Sequence, residues 1–355
     1  MKNFKINRNL LGDRHPAYFI ADIAANHDGD LSRAKKLIKL CAKAGANAAK
    51  FQHFKAETIV SDKGFKEVGK ITHQSKWKKS VYQVYKDASI NFKWTKILKA
   101  ECKKNKIDFM TSPYDLDYVD MVNKYICAYK IGSGDITWIE IIKKIAKKGK
   151  PVILSTGAAT LSEVKKALDT IKKFNSKIIL MQCNTNYTNE EKNFHYINLK
   201  VLKSYEKIFG KNVILGLSDH TEGHTTVLGA VSLGARVIEK HFTDDNNRIG
   251  PDHKFSMNPI TWREMVKQTR KLERAMGDGN KKIELNEKQS SIVQKRSCYA
   301  NTFIKKGSII KRKMIIPLRP CIKNSYSPDK ILLLINKKAK KNIKAGECIK
   351  KNLVH

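Results

Sequence analysis

Two histidines stand out by their settings, His220 in Gly216-Leu-Ser-Asp-His-Thr221 and His241 in Glu239-Lys-His-Phe-Thr243. Each ends a short apolar run. Imidazoles at the ends of two successive strands can converge on one divalent metal and leave positions open for water and a substrate oxygen. The plainer alternative is two independent histidines bonded to their own loops, and spacing alone leaves both open. His224 follows His220 at helical metal-pair spacing, but its expected place is inside the next helix, away from the axis. A second group of residues suits an anion. Lys50 with Gln52, Thr111 with Ser112, Lys130 with Ser133, Ser155, and Ser218 all close apolar runs, several beside glycines. Small hydroxyl residues and glycines let backbone N–H groups approach phosphate or carboxylate closely, and buried lysines supply charge. Any single Ser-Gly pair is an ordinary turn; the recurrence is the signal. Asp22, Asp135 and Asp252 add carboxylates that either cap loops or orient a substrate and move protons.

The elements that would hold these residues are short strands. Apolar runs at 18–25, 47–54, 108–114, 128–135, 151–157, 177–185, 213–221 and 236–243 have the continuous hydrophobicity of strands buried on both faces. Between them lie amphipathic stretches, such as Leu31, Ala34, Leu37, Ile38 and Cys41, or Leu161, Val164, Leu168 and Ile171. Gly45, Gly149, Gly210 and Gly234 stand where helices should stop. Strand alternating with helix through the chain predicts an α/β fold, a (β/α)8 TIM barrel, whose chemistry sits at the C-terminal ends of its strands. An open doubly wound sheet is the alternative.

The chain has 355 residues, enough for a large core. The predicted division is a barrel domain at 1–280, a linker at 281–296 within a polar stretch that begins at 278, and a small β-rich domain at 297–355. In that last part Ile304-Lys-Lys-Gly-Ser-Ile-Ile is echoed by Ile343-Lys-Ala-Gly-Glu-Cys-Ile, an internal repeat with Gly at a tight turn. The net charge of +37 raises nucleic acid as a partner. The lysines are instead scattered in pairs over most predicted helices, Lys35-Lys36 and Lys172-Lys173 among them, which is the pattern of solvated faces. No nucleic-acid partner is therefore expected, and the field should help to capture small anions. Seven cysteines without a CxxC pair favour a reducing cytoplasm over a disulfide scaffold. No stretch has the length of a membrane span, and no signal peptide is expected.

Taken together the motifs resemble the N-acetylneuraminate (sialic acid) synthase family. The matching segments are Ala21-Asp-Ile-Ala-Ala-Asn-His-Asp-Gly29, Lys50-Phe-Gln52, Lys130-Ile-Gly-Ser-Gly-Asp135, Ser155-Thr-Gly157, the two histidine motifs and Gly250-Pro-Asp-His-Lys-Phe-Ser256. They run in order through the whole barrel, and 297–355 resembles the family's antifreeze-like (SAF) domain. The resemblance implies condensation of phosphoenolpyruvate with an N-acylated mannosamine-type sugar, giving a nine-carbon 2-keto acid and phosphate. It implies a divalent metal, manganese, magnesium or cobalt, on His220 and His241. It assigns phosphoenolpyruvate to Lys50, Gln52, Thr111, Lys130, Ser133, Ser155 and Ser218, with Lys295 as a further phosphate lysine. It sets Tyr187 and Asp252 toward the sugar, and it implies an exchanged homodimer in which Arg319 reaches the N-acyl group in the partner's barrel. The family usually has Glu at Asp22 and Asp135, Pro after Tyr187, Asn at Thr185 and a Gly-rich stretch at Cys321-Ile-Lys-Asn-Ser325. These departures are expected on the sugar side, so a legionaminic or pseudaminic acid synthase is the alternative. A non-catalytic saccharide-binding relative is a further one. The connection 55–90, long for a βα loop, is a candidate lid.

Overall fold

The computed structural model describes residues 3–69, 74, 77–188 and 190–355. The chain divides into two compact units, Met1–Gly277 and Asp278–His355.

The first unit opens with a hairpin of β1 (Phe4–Ile6) and β2 (Asn9–Leu11). Eight parallel strands follow: β3 (Tyr18–Asp22), β4 (Ala48–His53), β5 (Asp108–Pro113), β6 (Tyr129–Ile131), β7 (Val152–Ser155), β8 (Ile178–Cys183), β9 (Ile214–Asp219) and β10 (Val237–His241). They close into a barrel through pairing of β10 with β3. Helix α1 (Leu31–Lys43) follows β3. After β4 come α2 (Ala56–Ile59), α3 (Asp62–Val68) and α4 (Val81–Ala88), then α5 (Trp94–Lys104). The ring continues with α6 (Leu116–Asn123), α7 (Ile139–Ala146), α8 (Leu161–Lys172), α9 (Val201–Phe209), α10 (Thr225–Ser232) and α11 (Pro259–Ala275). Thus the eight expected strands form a TIM barrel, and the open-sheet alternative is excluded. Their expected C-terminal ends ran past the pairing, because those last residues leave the sheet to build loops.

Local chemistry explains the helices. Asp30 caps α1 through Ser32 and Arg33 N–H, and Ala34, Leu37, Ile38 and Cys41 bury its inner stripe. The chain leaves it through Gly45 at φ 100°, a left-handed turn that glycine enters without a Cβ clash. A capping box of Thr160 and Glu163 starts α8.

Strand alternation sorts the barrel into two cores. Phe19, Ala21, Ala49, Phe51, Leu217 and Ile238 face the helices. Tyr18, Ile20, Ala48, Met110, Ile153, Ile179 and Val237 fill the interior together with Phe4, Ile6 and Leu11 of the hairpin. The hairpin therefore plugs the N-terminal end of the barrel, where Asn7 and Asn9 donate to Asp108 at the start of β5. It was not foreseen.

In the second unit the segment predicted as a linker carries α12 (Lys288–Gln294). Beyond it, β11 (Ser297–Ala300) pairs with β12 (Ile315–Leu318). The internal repeat is visible in the hydrogen bonding: Ile304 and Ile343 exchange N–H···O bonds of 2.9 Å, and Gly307 and Gly346 both turn at positive φ. Ile310 and Ile349, at matching places, share one small core. All seven cysteines are free. No helix among the described residues is long and apolar enough to cross a membrane.

Candidate active site

The alternation that builds the core also decides which polar residues reach the barrel mouth. Continuing inward from Ile20, Ala48, Met110, Ala128, Ile153, Met181, Ile214 and Val237, every second residue gives Asp22, Lys50, Gln52, Ser112, Lys130, Ser155, Cys183, Ser218, His220, Glu239 and His241. Two lysines are buried here, Lys50 at 2% and Lys130 at 3% exposure. Lys50 Nζ donates to Asp22 Oδ2 at 2.6 Å, and Gln52 Nε2 reaches the same oxygen at 3.3 Å. Glu239 Oε1 lies 3.3 Å from Lys130 Nζ and 3.8 Å from Lys50 Nζ, and accepts from Ser218 Oγ at 3.3 Å.

The two histidines are neighbours, with ring centroids 5.4 Å apart. His220 Nδ1 bonds the Asn184 carbonyl at 2.8 Å, which turns Nε2 toward any ligand. Its ring also meets Cys183; burial opposes protonation of His220, but Cys183 and the Asn184 carbonyl push its pKa up. His241 is held well below the usual imidazole range by burial first, then by the charges of His220 and Lys50, so it is neutral. Asp22 Oδ2 and Asp252 Oδ2 lie 3.6 and 3.7 Å from its two nitrogens.

Four buried polar atoms at this mouth have no hydrogen-bond partner: Ser112 Oγ, Ser155 Oγ, Glu239 Oε2 and His241 Nδ1. Buried polar atoms are rarely left so, and a cluster of them marks a place for a polar ligand. The residues also suit a divalent metal. His220 presents one nitrogen with the other fixed by a carbonyl, and His241 is neutral with an orphaned nitrogen. Among the described residues no group of three or more His, Cys, Asp or Glu forms a closed metal cage.

Beside the histidines a cavity of about 170 Å3 is lined by Gln52, Phe54, Trp77, Tyr85, Tyr114, Tyr187 and Asp252. The Tyr187 ring stands edge-on to His220 with centroids 4.4 Å apart, and Phe255 packs on His241 at 4.9 Å. Asp252 accepts from Ala25 N–H, and burial raises its pKa to about 6. Burial does the same for Asp135, to about 6, against the pull of Lys130. Tyr85 belongs to α4, so the connection 55–90 contributes a wall of the cavity; its residues 70–73, 75 and 76 lie outside the described residues.

The expectations for Thr111, Asp22 and His224 need correction. Thr111 does not face the mouth. It points toward the helices, where Oγ1 bonds His53 Nδ1 at 2.7 Å and the Phe51 carbonyl at 2.9 Å; Ser112 takes the inward place. Ser133 lies on the 3-10 turn after β6 and accepts from Gly157 N–H at 2.9 Å, bracing the loop. Asp22 is not confined to a sugar side, since it is the ion-pair partner of Lys50. His224 precedes α10 as its N-cap instead of sitting inside it. Lys295 and Arg319 are exposed residues of the second unit. Glu239 and Cys183 were missed as site residues. Counting by twos back from His241 along its strand would have found Glu239.

Fold and site together define a class: a TIM barrel whose mouth pairs an anion cradle of buried lysines and serines with two adjacent imidazoles. The chain belongs to the NeuB family, whose model matches residues 37–281. It is 39% identical to an N,N'-diacetyllegionaminic acid synthase of Campylobacter jejuni over 93% of this chain and 98% of that one. It is 29% identical to the N-acetylneuraminate-9-phosphate synthase of Homo sapiens over 97% and 94% of the two chains. Among solved structures it is similar to an N-acetylneuraminic acid (sialic acid) synthetase from Leptospira borgpetersenii. That match has TM-score 0.70 and 29% identity, covering 81% of this chain and 95% of that one.

Proposed function

We propose that this chain is a nonulosonate synthase, condensing phosphoenolpyruvate with an N-acylated amino sugar of the N-acetylmannosamine type and releasing phosphate. The observation that carries the reading is the set of unpartnered buried atoms around Lys50 and Lys130, in a family whose relatives bear the names of such synthases. Ser112 and Ser155 would donate to the phosphate and carboxylate oxygens, and the two lysines would hold the charge that develops as phosphate departs. A divalent metal (manganese, magnesium or cobalt) on His220 and His241 would polarise the sugar aldehyde and bring positive charge to a mouth where Asp22 and Glu239 cancel Lys50 and Lys130. Carbon three of phosphoenolpyruvate attacks the aldehyde carbon, a water adds at carbon two, and the C–O bond to phosphate breaks. The water loses both of its protons, one as it adds and one as the carbon-two hydroxyl becomes the keto oxygen; one proton ends on the former aldehyde oxygen and the other on the departing phosphate. Asp252, with a pKa of about 6, can exchange protons near neutrality, and it shares the sugar cavity with Tyr187.

The similarity to a diacetyllegionaminic acid synthase favours a second reading, a diacetamido sugar as the acceptor. Further parts of the proposal are a cytoplasmic homodimer, an antifreeze-like identity for the second unit, and Arg319 of one subunit donating to the N-acyl carbonyl in the barrel of the other. Arginine suits that task because its planar fork is preorganised for donation. Phosphate release with phosphoenolpyruvate, manganese and a panel of mono- and diacetamido sugars tests the reading and ranks the acceptors. Release with no sugar of the panel contradicts it.

A further inference from the structure

On the far side of β9 and β10 from the mouth lies a second buried ion pair that the reaction does not use. Asp219 and Lys240 are register partners across the two strands, and each side chain is 1% exposed. Alternation turns them toward α10, while Ser218, His220, Glu239 and His241 turn inward. Their charged groups bond directly. Asp219 Oδ2 also accepts from Thr221 Oγ1 at 2.9 Å and from Thr226 Oγ1, in the first turn of α10, at 2.8 Å. Lys240 Nζ donates to the Thr221 carbonyl at 2.6 Å. One network thus joins the residues before and after His220 to the residue before His241.

Packing alone gives no reason for charge at this place. The next register pair on the same outer face, Leu217 with Ile238, is apolar and fully packed. Desolvating two ions is costly, and apolar pairs of similar size often hold a core as well or better. What an ion pair adds is direction: its bonds fix two strand ends relative to each other, whereas apolar contacts tolerate sliding. The strand ends fixed here are the two that carry the imidazoles.

We propose that the Asp219–Lys240 pair, tied by Thr221 and Thr226, is a positioning device that sets the spacing and direction of His220 and His241 for a shared metal. The inference rests on the reading that these histidines hold one divalent ion. The test uses the full chain, with manganese binding followed by the electron paramagnetic resonance of free Mn2+, and with thermal melting in parallel. Asp219→Leu/Lys240→Met replaces the ions by apolar side chains. It should melt within a few degrees of the parent or above it, yet bind Mn2+ about 10- to 100-fold more weakly, the usual range for lost support around metal ligands. In turnover, kcat should fall by more than KM for phosphoenolpyruvate rises, since Lys50, Ser112, Lys130 and Ser155 lie on other strands. Thr226→Val, which leaves both ions in place, should weaken Mn2+ binding in the same direction and by less, so the test stands even if the double variant folds poorly. Parent protein that binds Mn2+ with variants of equal affinity overturns the positioning role alone. Parent protein that binds no Mn2+ overturns the shared-metal reading, and the inference with it.

Discussion

Ser112 and Thr111 are adjacent hydroxyl residues on one strand that face opposite ways, and their removal should have opposite consequences. Ser112 Oγ is buried at the mouth without a partner. Ser112→Ala removes an unsatisfied polar atom from the free protein, so its melting temperature should hold or rise. If that hydroxyl donates to a phosphoenolpyruvate oxygen, the lost charge-assisted bond is worth about 1.5–3 kcal/mol, or roughly 10- to 100-fold in KM for phosphoenolpyruvate. Thr111 Oγ1 instead bonds His53 and the Phe51 carbonyl. Thr111→Val leaves the His53 Nδ1 atom unpaired in the core, a cost of about 1–3 kcal/mol and a loss of several degrees in melting temperature. Its KM should not change. Steady-state kinetics with varied phosphoenolpyruvate, together with scanning calorimetry, resolves the two signatures. A raised KM in Thr111→Val beside an unchanged one in Ser112→Ala would refute the inward and outward assignment of this strand.

Three further outcomes follow from the site. Glu239→Gln leaves Lys130 without its buried counter-charge; the free protein should melt several degrees lower, and saturating phosphoenolpyruvate should recover more of that loss than it adds to the parent. Asp135 has its folded pKa raised to about 6, so its ionisation opposes folding as pH rises from about 4 to 6. Asp135→Asn should accordingly be more stable than the parent above pH 6 and indistinguishable below about pH 4, as read from denaturant midpoints across pH; equal midpoints at pH 7 count against a raised pKa at this half-buried carboxylate. If, as proposed, Arg319 of one subunit completes the barrel of another, exchanging subunits between Arg319→Ala and His241→Ala proteins should restore activity in the mixed assembly, and no recovery after confirmed exchange argues for a site within one chain.

The barrel was legible because buried parallel strands carry continuous apolar runs and the helices between them keep their periodicity and glycine stops. Gly45, Gly149, Gly210 and Gly234 all turn at positive φ. The repeat in the second unit was equally plain, since Ile310 and Ile349 occupy the same place in both copies. The N-terminal hairpin was hidden by its length: strands of three residues leave too little pattern, although Phe4, Ile6 and Leu11 alternate correctly around the turn at Asn7. Within the site, motifs located the strand ends but not the direction of each side chain. Thr111 and Ser112 are chemically alike, so only the count from Met110 separates them. Asp22 looked like a sugar residue because nothing in its own strand names its partner, Lys50, which comes from the next one.

The condensation itself is tested most directly by following the oxygen of water. In 18O-labelled water, with phosphoenolpyruvate, manganese and an accepted amino sugar, C–O cleavage leaves the bridging oxygen on phosphate. The account predicts inorganic phosphate free of label, released one for one with a nine-carbon 2-keto acid seen by mass spectrometry. Phosphate carrying one labelled oxygen, with the sugar unconsumed, would mean hydrolysis at phosphorus and would contradict it.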